Sequence, residues 1–164
     1  MPEVGEEIVG TWLRYCAKCD FVDYNVSVRD GQGEIDVVGI KLAGKRAYVC
    51  EVATHTSGLG YKDVESTLVG KFERAITYAT KYLAGFKITY MFWSPLVRAG
   101  AQTRAVNEAC KAVTEKRNVE ISLITNADYY LKLSELRAEA ARESASSPHA
   151  VFRLLQIEEL GRKV

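Results

Sequence analysis

Two carboxylates in neighbouring predicted strands are the residues of this chain best suited to chemistry. Asp36 lies in "GEIDVVGIKL" and Glu51 in "AYVCEVAT", and the short turn "AGKR" separates the two segments. If the strands pair around that turn, the acids approach each other and repel, unless one is protonated or a cation lies between them. Mg²⁺ (or Mn²⁺) suits two carboxylates, and the carbonyl of Val52 is a further candidate oxygen ligand. The pair therefore predicts a metal site.

The elements that must position these acids follow from hydrophobic periodicity and turn residues. Period-2 and apolar segments predict strands, and apolar residues at helical spacing predict helices. The order is α-β-β-β-α-β-α-β followed by two C-terminal helices, which indicates an α/β fold with a mixed sheet flanked by helices. The predicted strands are 21–28, 34–42, 47–54, 86–94 and 119–125, and the predicted helices are 3–19, 63–83, 101–117, 126–143 and 149–160.

Composition places the chain among ordinary globular proteins. Its 164 residues suit one domain, and no apolar segment is long enough to cross a membrane. The acidic start "MPEVGEEIVG" does not resemble a secretory signal, so we expect a cytoplasmic protein without a membrane partner. Cys16 and Cys19 form a lone C-x-x-C inside the first predicted helix, where buried free thiols are favoured over a redox pair.

The net charge of +1 conceals a basic central segment. Residues 41–118 carry 13 Lys/Arg against 6 Asp/Glu. A basic surface on an otherwise balanced protein is typical of contact with a polyanion, although an ordinary solvated surface is the simpler explanation. Nucleic acid is therefore a candidate partner on charge alone.

The acids also lie in a recognisable pattern. Glu6 precedes Trp12-Leu13 by six residues, and "GEIDVV" and "YVCEVAT" follow. Over about residues 5–93 this resembles the PD-(D/E)XK, or restriction-endonuclease-like, superfamily. It is nearest to small bacterial nuclease-like proteins related to Holliday-junction resolvases. The resemblance implies Mg²⁺-dependent DNA cleavage, with Asp36 and Glu51 as ligands and Glu6 assisting through water. It also implies a nuclease-like core at 1–126, with 127–164 as a helical extension of the same domain.

One residue departs from the family pattern. The lysine expected two residues after Glu51 is replaced by Ala53. In the resolvase-like relatives the next helix has the form K-x-x-x-x-x-x-A-A-x-x-Y-L, which Lys71 matches in "KFERAITYATKYL". Lys71 is therefore the predicted replacement, and Lys62 in the preceding loop is the second candidate. The resemblance thus predicts a lysine that has moved from the strand to the helix.

The remaining predictions concern partners. DNA is the expected substrate and RNA an alternative, while loss of the lysine leaves open a catalytically inactive nucleic-acid-binding module. The two C-terminal helices offer apolar faces that could form a homodimer. The predicted nucleic-acid-binding residues are Thr54, His55, Lys62, Arg74, Lys45 and Arg98.

Overall fold

Five strands and five helices follow one another in the predicted order, in a computed structural model that describes residues 2–28 and 33–162. Most of the predicted "RDGQG" turn, residues 29–32, lies outside the described residues. The helices are α1 (Val4–Tyr15), α2 (Val64–Tyr82), α3 (Ala101–Arg117), α4 (Ala127–Arg142) and α5 (Ala150–Gly161). The strands are β1 (Phe21–Ser27), β2 (Glu34–Lys41), β3 (Arg46–Val52), β4 (Lys87–Ser94) and β5 (Ile121–Thr125).

The five strands form one mixed sheet in the order β1-β2-β3-β4-β5. The pairs β1–β2 and β2–β3 are antiparallel, as expected for a meander with short turns. The pairs β3–β4 and β4–β5 are parallel, because α2 and α3 return the chain to the same end of the sheet before each new strand. The α/β class with a mixed sheet, predicted from the order of elements, is confirmed.

Helices cover both faces of the sheet and create two apolar layers. One layer joins Leu68, Phe72 and Ala75 of α2 and Val106 of α3 to sheet residues such as Val49. The other joins α1, α4 and α5 to the opposite face, with Trp12, Trp93, Leu136 and Phe152 among its buried members. Successive residues of β3 alternate between the layers: Val49 belongs to the first and Cys50 to the second.

The first helix ends earlier than its apolar pattern predicted. Residues 3–19 were the expected span, but α1 stops at Tyr15, and Lys18 adopts a left-handed backbone conformation with φ 60°. A left-handed residue cannot continue a right-handed helix, so the chain turns there towards β1. Cys16 and Cys19 therefore lie just after the helix. Both thiols are free, and burial raises the pKa of each to about 11, which makes them weak nucleophiles.

The two C-terminal helices pack on α1 and on each other, and α4 also packs on β5. Trp12 Nε1 donates to Glu135 Oε2 at 2.8 Å, and the Tyr15 ring stacks on Phe152 with centroids 3.7 Å apart. On the outer side, α5 leaves Leu154, Ile157 and Leu160 exposed. Among the helices described, none is long and apolar enough to cross a membrane.

Candidate active site

Asp36 and Glu51 lie at the point where β2 and β3 cease to pair. The last pair in the register is Val37 with Cys50, so Asp36 and Glu51 are the next residues of the two strands. Asp36 Oδ2 accepts a hydrogen bond from the backbone N–H of Val52 at 2.7 Å. A side-chain carboxylate thus replaces the strand carbonyl that would otherwise satisfy this N–H. The bond fixes the orientation of the Asp36 carboxylate.

Lys71 of α2 reaches both carboxylates. Its Nζ donates to Glu51 Oε2 at 2.7 Å and to Asp36 Oδ2 at 3.0 Å. The helix is anchored by Leu68 and Phe72, which are buried against the sheet on either side of Lys71 in the sequence. The lysine stem is therefore directed from a fixed helix towards the split between the two strands. The structure places Lys71 where the sequence pattern put it, and its catalytic role stays a prediction.

Burial dominates the electrostatics of this cluster. Glu51 is 1% exposed, and burial, reinforced by the Asp36 charge, raises its pKa to about 8 in spite of Lys71. Burial alone would lower the pKa of Lys71, but the Glu51 and Asp36 carboxylates outweigh it and raise that pKa. Both groups therefore favour their protonated forms. Glu51 Oε1 is buried and has no hydrogen-bond partner among the residues described.

Glu6 does not join this cluster directly. Its Oε2 accepts from the backbone N–H of Glu3 at 2.9 Å, as part of the helix cap, and from Asn25 Nδ2 at 3.1 Å. Asn25 has φ 50° and interrupts the β1–β2 register at the position opposite Asp36. Glu6 is thus linked through Asn25 to the strand position facing Asp36. Within residues 2–28 and 33–162, no three His, Cys, Asp or Glu side chains form a group able to hold a metal ion.

The segment after β3 brings α1 close to the site. The predicted strand 47–54 ends at Val52, and Ala53 is 3% exposed within the apolar layer. Thr54 follows, and a Cβ added at Gly5 would lie 2.2 Å from its Cγ2. Only a glycine at position 5 therefore allows α1 to approach this strand end. Ala53 itself points into the apolar layer that contains α2.

His55 and Lys62 are both exposed in the connection between β3 and α2. The His55 ring stands edge-on to Tyr61, with centroids 6.3 Å apart. Burial raises the pKa of Tyr61, and the Asp36 and Glu51 carboxylates act in the same direction against Lys71. Tyr61 is thus electrostatically coupled to the cluster.

Gln102 of α3 clamps the glycine-rich connection. Its Oε1 accepts from the backbone N–H groups of Leu59 at 3.3 Å and Arg98 at 3.0 Å, and its Nε2 donates to Leu59 O at 3.1 Å. Arg98, a predicted phosphate contact, is exposed beside this clamp. Sequence reasoning missed both Gln102 and Asn25, because a single polar residue in a helix or strand carries no periodic signal.

Two further predicted nucleic-acid contacts, Arg74 and Lys45, lie at different distances from the two acids. Arg74 lies one turn after Lys71 on α2 and donates from Nη1 to Glu34 O at 3.3 Å. Lys45 lies in the turn between β2 and β3, at the other end of the hairpin from Asp36 and Glu51. Five residues of strand separate the two ends, or roughly 16 Å. Lys45 can therefore contact only a ligand that extends well beyond the acids.

Comparison with known proteins finds no matching family model, no matching curated protein and no matching solved structure. The site itself consists of two buried carboxylates at the point where two strands cease to pair, one lysine bound to both, and a buried oxygen that has no hydrogen-bond partner in the part of the chain described.

Proposed function

We propose that this chain is a metal-dependent endonuclease that hydrolyses phosphodiester bonds of DNA, built on a restriction-endonuclease-like fold. The observation that carries the proposal is the convergence of Asp36, Glu51 and Lys71 at the split between β2 and β3. Two buried acids with one shared cation are costly to maintain for stability alone, because apolar residues of similar volume are often as stable or more stable there. Such an arrangement is typical of a site under functional constraint.

The donor set fits a small divalent cation. Mg²⁺ and Mn²⁺ take oxygen ligands, and Glu51 Oε1 is a buried oxygen that lacks a partner among the described residues. Asp36 and Glu51 would hold the ion, with the Val52 carbonyl as a further ligand, since the Val52 backbone already faces Asp36. When bound, such an ion polarises a phosphate oxygen and lowers the pKa of a coordinated water.

Each residue of the chain then has a distinct part. The N–H of Val52 holds the Asp36 carboxylate in one orientation. Lys71 Nζ lies within hydrogen-bond distance of both acids. From this position it can donate a hydrogen bond to a phosphate oxygen or to the attacking water instead. Loss of one such preorganised donor typically costs about 10²–10³ in rate. In this proposal Lys71 supplies the cationic hydrogen-bond donor that Ala53, at the position of the family's strand lysine, cannot provide.

A catalytically inactive nucleic-acid-binding module is the second candidate, and one observation favours it. Lys71 already contacts both carboxyl groups, at 2.7 and 3.0 Å, and so offsets their negative charge without a metal. In such a module the three side chains would only connect α2 to the sheet. The two candidates differ in whether a divalent cation binds there.

The test combines cleavage with metal binding. Supercoiled plasmid, a branched duplex and single-stranded RNA are incubated with the protein and Mg²⁺ or Mn²⁺. Asp36→Asn, Glu51→Gln and Lys71→Met are compared with Lys111→Met, an exposed lysine on α3 that serves as the matched control. We expect DNA cleavage by the wild type and the control, and a loss of about 10² or more in the three site variants.

Calorimetric titration with Mn²⁺ identifies the reason for any loss. Asp36→Asn and Glu51→Gln should abolish binding, whereas Lys71→Met should retain it because the lysine is not a ligand. A wild type that neither binds the cation nor cleaves DNA would refute the nuclease and favour the inactive module. Cleavage of RNA alone would refute DNA as the substrate.

A further inference from the structure

A groove of about 250 Å³ runs along α2 beside the end of β1 and the end of α3. Among the residues described, its lining includes three cationic side chains, Arg74, Lys81 and Arg117, and one carboxylate, Glu73. Arg117 Nε donates to Glu73 Oε2 at 2.7 Å, which fixes the guanidinium at the rim. The charged side chains that line the groove are thus mostly cationic, which suits an anionic ligand.

Two tyrosines form the apolar part of the groove. The rings of Tyr78 and Tyr82 have centroids 5.2 Å apart and planes inclined by 44°. Tyr82 is 42% exposed, although it is a large aromatic residue at the end of a helix. Lys81 Nζ lies 5.2 Å from the centroid of the Tyr82 ring. Aromatic surface and positive charge thus occur together.

The groove lies along the side of α2 that also carries Lys71. Lys71, Arg74, Tyr78 and Tyr82 follow one another at intervals of three, four and four residues, the spacing of neighbours on one side of a helix. At 1.5 Å per residue, Tyr78 lies about 10 Å and Tyr82 about 16 Å along the axis from Lys71. A strand whose phosphate reaches Lys71 can therefore extend past Arg74 to the two tyrosines.

We propose that this groove binds a single-stranded segment of DNA that flanks the scissile phosphate. The substrate class is then DNA with unpaired bases next to the cleavage site, an assignment that rests on the proposed nuclease function. Unpaired bases stack on aromatic side chains, while cations contact the backbone phosphates. In a duplex the bases are stacked on one another inside the helix, so only its phosphates could use this groove.

Binding is measured by fluorescence anisotropy of a labelled oligothymidylate in EDTA, so that cleavage does not interfere. Tyr82→Ala removes the exposed ring and should weaken binding roughly 5- to 100-fold, the range for loss of one base–aromatic stack. Tyr82→Phe keeps the ring and should bind like the wild type. Tyr130→Ala, at a tyrosine of α4 that is 57% exposed, is the matched control and should have no effect. Circular dichroism confirms that each variant is folded.

Arg74→Gln tests the charged part of the groove. The slope of log K for binding against log salt concentration should become less steep by about 1, because one phosphate contact is lost. Equal binding by Tyr82→Ala and the wild type, or no binding of oligothymidylate by the wild type, would overturn the assignment. Binding that depends on Tyr82 in a protein that never cleaves DNA would support the groove while refuting the nuclease. If the wild type cleaves DNA and Tyr82→Ala cleaves it equally well, the nuclease is supported and the groove assignment is refuted.

Discussion

Replacing Glu51 by glutamine should change how the stability of the protein depends on pH. Glu51 is 1% exposed, and its pKa is raised from 4.5 to about 8. An acid whose pKa is higher in the folded than in the unfolded state takes up a proton on folding. Its contribution to stability is therefore complete below pH 4.5 and is lost as the pH rises towards 8. Glutamine has the same shape and does not titrate.

The size of the effect follows from linkage between protonation and folding. One extra proton bound by the folded state lowers the free energy of unfolding by up to about 1.4 kcal/mol per pH unit. Between pH 5 and pH 7 the wild type should therefore lose on the order of 2 kcal/mol relative to Glu51→Gln. Other groups titrate in both proteins, so the difference isolates position 51 and its coupling to Asp36 and Lys71.

Urea unfolding followed by circular dichroism at pH 5, 6, 7 and 8, with EDTA present, measures this difference. Glu108→Gln, at an exposed glutamate of α3, is the matched control and should follow the wild type at every pH. Repeating the series with saturating Mg²⁺ should flatten the wild-type dependence, because a bound cation stabilises the ionised carboxylate. A stability difference between the wild type and Glu51→Gln that does not vary with pH in EDTA would contradict a raised pKa at position 51.

Two further predictions concern stability. Lys71→Met should lower the free energy of unfolding at pH 7 by about 3–5 kcal/mol, because the buried Asp36 carboxylate loses its cation and Glu51 loses its hydrogen-bond donor; adding Asp36→Asn should recover part of that loss, and simple additivity in urea unfolding would contradict the coupling. Gly5→Ala should cost about 1–3 kcal/mol, since its Cβ would overlap the Thr54 side chain. Gly70→Ala, also in a helix, is the matched control, because a Cβ at this position meets nothing within 4 Å. Alanine is favoured over glycine within a helix, so thermal unfolding should show a free energy of unfolding that is higher by about 0.5–1 kcal/mol.

Periodicity was sufficient for the order of the elements, whereas Lys71 also required the family resemblance. Strands and helices of this chain have regular apolar spacing, and the hairpin turn alone brings Asp36 and Glu51 together. The position of Lys71 followed from the length of α2 and from the resemblance, because a helix fixes spacing along its axis. The same strand geometry places Lys45 at the far end of the hairpin, an inference that was available from the sequence.

Other features depend on contacts between distant parts of the chain. Glu6 Oε2 accepts hydrogen bonds from Glu3 N–H and Asn25 Nδ2, contacts that the sequence did not indicate, and its assistance at the metal stays a prediction. The left-handed backbone at Lys18, which follows the early end of α1, has no signal in the residue types around it. The clamp by Gln102 joins residues 43 positions apart. Such contacts are set by packing, which residue patterns alone do not encode.

The two apolar layers impose an order on folding during synthesis. In the layer that contains α2 and α3, the helices contact strands that leave the ribosome shortly before or after them. The other layer joins α1 to α4 and α5, and the Trp12–Glu135 hydrogen bond spans 123 residues. Until the last helices emerge, only α1 can cover Trp93 and its apolar neighbours on that face, and the part that α4 and α5 later bury stays exposed, a state in which chains aggregate or engage chaperones. A ribosome-bound chain that ends before α4 would present this face as a chaperone-binding surface.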